Sequence, residues 1–190
     1  MGDLYLASEG ALTPGTLIDG ARMYATSADA VNARFPCCVF PISHLLCTSI
    51  ELTLKAFLRR HGATEDRLME LGHDLSALLT EAIAAGLHDT GSRMFVLAVA
   101  GKNYAERLFV YPEQNPLGMQ SIALYRLRAM CHELIVEVYA AINGADDAAK
   151  MKNEPGLCIQ GTYPTDLPPM AASMWTARPA DLISLPKTTV

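Results

Sequence analysis

The residues between Pro41 and Gly62 constrain this chain more than any other stretch, because nothing between them breaks a helix. Leu46, Ile50, Leu54, Phe57 and Leu58 recur there at steps of three and four, the spacing that lines one face of a helix. His44, Thr48, Glu51, Lys55 and Arg59 recur on the other side, with Glu51 and Lys55 in the favourable i, i+4 order. The spacing predicts a helix over residues 41–61 that stops at Gly62, where a left-handed residue is needed. A helix with one apolar face must bury it against another element, so its neighbours decide the fold class.

Those neighbours carry the same pattern. Thr13 can cap a first helix and Pro14 suits its first position; Leu17, Ala21, Tyr24, Ala28 and Val31 then form a stripe that ends at Phe35-Pro36. Residues 34–40 read as a connection. Thr64 opens a short helix with Glu65 and Asp66 in its first turn, and Gly72 breaks it. Asp74 caps the next, which runs through Leu75, Leu78, Leu79, Ala82 and Ile83 to Gly86. Ser92 opens another, whose apolar run Met94 to Ala100 would have no partner as a strand. The longest helix is expected over residues 119–143, with Leu124, Leu127, Cys131, Leu134 and Val138 as a heptad-like seam. The expected fold is all-α: an antiparallel up-and-down bundle of four to five helices over residues 1–143. An irregular tail over 144–190 follows, where Pro155, Pro164, Pro168, Pro169, Pro179 and Pro186 forbid long helices. The tail holds Trp175 and is expected to lie on the bundle or on a partner.

Composition narrows the function classes. The formal charge of −5 argues against a protein that coats nucleic acid nonspecifically, which needs a basic surface to displace counterions. Cys37, Cys38, Cys47, Cys131 and Cys158 have no zinc-like spacing and read as reduced thiols, with the vicinal pair Cys37-Cys38 the one open redox question. The chain starts without a basic and apolar leader, and the longest apolar run is too short for a bilayer; a cytoplasmic protein with no membrane contact is expected. With no Walker loop, Rossmann glycine pattern or histidine–carboxylate cluster, no cofactor and no metal are expected.

The stretch Ser49 to Leu58, containing Glu51, Lys55 and Ala56, is followed after Gly62 by Gly72-His73-Asp74-Leu75, Leu78 and Ala82. With Tyr104, Arg107 and Tyr111-Pro112 further on, this resembles a HEPN domain, the helical family named for higher eukaryotes, prokaryotes and nucleotide binding. The resemblance covers residues 13–143 and is moderately specific as a whole, though each piece is common. It implies a helical bundle, usually a homodimer, acting on RNA or beside a nucleotidyltransferase, as in toxin–antitoxin pairs. Many members are metal-independent ribonucleases with an Arg-x(4–6)-His motif near the C-terminal helices; others are inactive binding or partner modules.

Arg126 and His132 meet that count, with five residues between them. Six steps along a helix nevertheless turn two side chains about 120° apart, so they would not converge. Arg128 shares a face with His132, as do Tyr125 and Tyr139, but misses the spacing. The candidate catalytic set is therefore Arg126, Arg128 and His132, in which histidine would move a proton and arginine hold a phosphate; the plain alternative is an ordinary helix histidine beside solvated arginines. Lys102, Tyr104 and Arg107 form a candidate RNA- or nucleotide-contacting surface, or else a polar helix end. Glu51 and Lys55 read as a structural pair, and His73, beside the capping Asp74, as a local hydrogen bond tying two helices together. Two functions stay open: an RNA-associated protein that binds RNA or nucleotide or cleaves RNA weakly, and a non-catalytic module that dimerises and holds a nucleotidyltransferase or antitoxin partner.

Overall fold

Thr13 sets the first boundary. Its hydroxyl accepts from the Thr16 backbone N–H at 3.1 Å while the Thr16 hydroxyl accepts from the Thr13 N–H, a reciprocal cap with Pro14 at the first helical position. The computed structural model describes residues 12–110 and 124–151, which form seven helices. They are α1 (Pro14–Arg34), α2 (Val39–Arg60), α3 (Glu65–Leu71), α4 (Leu75–Ala84), α5 (Ser92–Ala105), α6 (Leu124–Asn143) and α7 (Ala145–Met151). The architecture is an all-α bundle, and no strand occurs among the described residues.

The middle of the molecule is α2. It packs on α1, α4, α5 and α6, and Ile42, Leu46, Ile50 and Leu54 lie fully buried along it. Burying each such side chain contributes about 1.5–3 kcal/mol. On the expected polar face Glu51 is buried while His44, Thr48, Lys55 and Arg59 stay partly exposed; Ser49 and Thr53, which lie off that face, are buried as well. Ser49 donates to the Ala21 carbonyl at 2.7 Å and accepts from the Cys131 thiol at 3.3 Å, joining α1, α2 and α6 at one buried hydroxyl.

The order of pairing gives the direction of α1 against α6. Arg22 lies over the Tyr139 ring at 5.2 Å and Asp29 meets His132, so seven residues forward on one helix match seven back on the other. The two run antiparallel.

Several expected boundaries hold with small changes. Thr64, Asp74 and Gly62 play the parts foreseen, and the run Met94 to Ala100 is helical within α5. α2 begins at Val39, inside the expected connection. On α1 the buried face is Leu17, Ile18, Ala21, Ala25, Ala28 and Asp29, whereas Tyr24 turns outward. Residues 145–151, assigned from the sequence to the irregular tail, form α7, which packs on α6 with Ala148 buried. The tail prolines and Trp175, the segment 111–123 and Cys158 lie outside the described residues.

Candidate functional site

Among the described residues, buried polar clusters form around Glu51, around Asp29 and at the Arg93–Glu137 pair. The position of Glu51 on α2 places the carboxylate where α2, α5 and the α3–α4 turn meet. Lys55, one turn on, donates to Oε1 at 2.7 Å. His73 Nδ1 lies 2.9 Å from Oε2, and the Tyr104 hydroxyl donates to the same oxygen at 2.8 Å. An ionised carboxylate only accepts, so the His73 contact places the proton on Nδ1 and leaves Nε2 as the outward nitrogen. Burial works against ionisation of Glu51, but the hydrogen bonds from His73, Lys55 and Tyr104 outweigh it and hold the carboxyl below its ordinary range. Burial pushes the Tyr104 phenol up, so it remains a donor at neutral pH.

His73 reaches Glu51 because of the turn before α4. Gly72 takes φ +54°, ψ −123°, a conformation open to glycine, and Asp74 then caps α4 by accepting from the Ser76 and Ala77 N–H groups at 3.0 Å. The Gly-His-Asp order thus turns the chain, presents the imidazole and starts the next helix. α5 approaches closely enough to bring Tyr104 in because Gly101 has no side chain; a Cβ there would lie 3.3 Å from Leu75 Cβ.

A pocket of about 370 Å³ opens beside this cluster. Tyr104, His73, His44 and Thr48 line it, with Tyr24 of α1 and Arg107 and Val110 at the end of α5. Both imidazoles touch the same phenol ring, His44 at 5.5 Å and His73 at 5.9 Å between centroids. Burial depresses the His44 imidazole below the ordinary histidine range; Glu51 pulls it back in part, and His73 adds to the depression. Neither ring nitrogen of His44 hydrogen-bonds a described residue. Arg107 stands at φ +56°, in the left-handed region that a non-glycine residue adopts only under constraint, and its side chain is exposed.

The second cluster centres on Asp29 of α1. Arg128 Nε donates to Oδ1 at 2.5 Å, and His132 Nε2 lies 3.1 Å from Oδ2. Burial raises the Asp29 carboxyl, but the hydrogen bonds from His132 and Arg128 outweigh it and leave the carboxyl lowered. His132 is 4% exposed, and its Nδ1 has no hydrogen-bond partner among the described residues.

The sequence-derived candidates therefore divide. Arg128 and His132 converge as their shared face requires, but on a carboxylate inside the bundle. Arg126 points elsewhere, with Nε 3.1 Å from the Tyr125 hydroxyl and its guanidinium over that ring. Tyr104 and Arg107 reach the pocket, where they join His73, and Glu51 lies buried behind it; Lys102 is exposed and does not line the pocket. Asp74 is a helix cap. Sequence reasoning missed Asp29 and Tyr24 as site residues, and it listed His44 only as one of a polar stripe. The regular spacing of His44, Thr48 and Glu51 on α2 was the available signal for His44, whereas nothing local marks Asp29.

The fold and pocket define an all-helical bundle with a carboxylate-anchored imidazole at its surface. No family model, curated protein or solved structure matches the chain.

Proposed function

We propose that this chain is a HEPN-like, RNA-associated protein that binds a nucleotide, free or at an RNA end, in the pocket between α2 and α5. The carrying observation is that Tyr104 and Arg107 meet His44 and His73 at one pocket, with Glu51 holding His73 and Tyr104 from behind, though these residues lie far apart in sequence. Aromatic rings at Tyr24 and Tyr104 suit contact with a base, and Arg107 suits a phosphate.

A metal-independent ribonuclease working through Arg126, Arg128 and His132 has less support. Asp29 already occupies Arg128 and His132 inside the bundle, and Arg126 lies against Tyr125. Exposed apolar side chains include Met23 on α1, Phe95 on α5 and Tyr125 on α6, and Phe35, Val39 and Phe40 around the α1–α2 connection. A partner module that dimerises or holds a nucleotidyltransferase or antitoxin would use such a surface; the pocket reading is favoured by the two imidazoles and the guanidinium that line one cavity.

Calorimetric titration with adenosine 5′-monophosphate and with a short single-stranded RNA, in EDTA, tests the reading. Arg107→Ala is expected to weaken binding about tenfold or more, because a charge-assisted phosphate contact contributes about 1.5–3 kcal/mol. Arg126→Ala is expected to bind as the unaltered protein does. Failure of the unaltered protein to bind either probe, or equal affinity in Arg107→Ala, would overturn the proposal.

A further inference from the structure

The pocket holds more than a binding surface requires. It contains two imidazoles in different settings: His73, fixed through Nδ1 by a buried carboxylate at 2.9 Å, and His44, whose ring nitrogens make no hydrogen bond to a described residue. The backing carboxylate is saturated by His73, Lys55 and Tyr104, which suits it to orienting an imidazole and not to ligating or attacking. The described residues lining the pocket include no activated nucleophile. Thr48 donates its hydroxyl to the His44 carbonyl at 2.9 Å, and neighbouring Cys47 is fully buried with its thiol pushed up by that burial. Any nucleophile must then come from water or from the ligand. Two imidazoles with a guanidinium nearby form the minimal set for opening a phosphodiester: a base, an acid and a cation for the phosphoryl oxygens. A volume of about 370 Å³ falls at the small end of the range for small-molecule sites, about 300–1,000 Å³, which fits one nucleotide better than a threaded strand.

From this geometry we infer that the pocket hydrolyses a nucleoside 2′,3′-cyclic phosphate, with His44 as general base, His73 as general acid and Arg107 on the phosphoryl oxygens. The inference rests on the nucleotide-binding reading above and adds a reaction to it. His44 takes a proton from water as the water oxygen bonds to phosphorus. One ribose O–P bond breaks, and the departing 2′ or 3′ oxygen takes the proton from Nε2 of His73. The product is a ribose monophosphate ester with a free neighbouring hydroxyl. His44 releases its proton to solvent and His73 regains one, so no redox partner or second substrate is consumed. The strained five-membered ring releases energy on opening, so acid–base assistance with one cation suffices. Glu51 is a positioning residue, because it acts through His73.

Incubation of the full chain with 2′,3′-cyclic AMP in EDTA, followed by phosphorus NMR, reads the reaction directly, and calorimetry with the same probe reads binding. The expected result is conversion to adenosine 2′- or 3′-monophosphate. Turnover should fall at least about 100-fold in His44→Gln and in His73→Gln, with affinity within about threefold of the unaltered protein. Glu51→Gln should lower kcat with KM little changed. Binding of 2′,3′-cyclic AMP without turnover would overturn the hydrolysis and leave nucleotide binding standing. Absence of 2′,3′-cyclic AMP binding would overturn the hydrolysis alone where adenosine 5′-monophosphate still binds, and would overturn both where it does not. Equal turnover in the His44→Gln, His73→Gln double variant would place the activity outside this pocket. Cleavage of internal RNA linkages without opening of the cyclic phosphate would overturn the substrate assignment.

Discussion

At Asp29 one carboxylate accepts from two side chains of α6, so its removal strands both of them inside the bundle. Arg128 and His132 are largely buried and were desolvated on folding with that acceptor in place. Removing one member of a buried charged cluster typically costs about 3–5 kcal/mol, because the remaining charge loses its compensation. Asp29→Ala is expected to lower stability by about 3 kcal/mol in urea denaturation, and a loss below about 1 kcal/mol would contradict the cluster's structural role. Nucleotide binding proposed for the pocket beside Glu51 should persist wherever the variant stays folded. Helical spacing already separated Arg126 from His132, and the structure agrees with that separation. The same periodicity could not reveal Asp29, because an aspartate in the middle of α1 has no local signature of burial. Its burial depends on the antiparallel register that sets it opposite His132.

The turn between α3 and α4 carries most of the element-level information. Threonine and aspartate caps are strong local signals because their side chains satisfy backbone N–H groups that a helix start leaves unpaired. Thr13, Thr64 and Asp74 accordingly cap where the sequence places them. Gly72 stops α3 in a conformation that L side chains rarely adopt, and this turn delivers His73 to Glu51. Gly72→Ala should therefore cost about 1–3 kcal/mol of stability and loosen His73 together with the fold. A thermal midpoint unchanged from that of the unaltered protein would show the turn to be more adaptable than its backbone implies. Two element boundaries needed correction. α2 starts earlier than expected, at Val39, and residues 145–151 are helical although proline-rich sequence lies just beyond. In the second case α7 packs on α6 with Ala148 buried, and that packing stabilises a short helix whose own propensity is modest.

For the molecule as a whole, the buried polar clusters give stability a definite pH dependence. Asp29 and Glu51 have lowered folded-state values, so their stabilisation is present above the ordinary carboxylate range and is lost as pH falls through those lowered values. His44 is lowered as well, so the unfolded chain takes up that proton first and the fold loses stability as pH drops below about 6.5. All three groups act in one direction: the unfolded state binds more protons. The thermal midpoint should decline modestly between about pH 7 and 5 and steeply below about pH 4. A midpoint that rises on acidification would contradict the assigned ionisation states. No described helix is long and apolar enough to cross a membrane, and the longest are instead held by burial within the bundle.

The one-dimensional pattern was sufficient for the all-helical class, the caps and the two faces of α2, because helix periodicity and capping are satisfied within a few residues of each position. It also placed Arg128 on the same side as His132, which is a property of a single helix. The convergence of Glu51, His73, Tyr104 and Arg107, and the choice of Asp29 as the partner of Arg128 and His132, came only with the packed bundle. These contacts join different helices. Their geometry depends on crossing and register, which arise from the simultaneous packing of all the apolar faces.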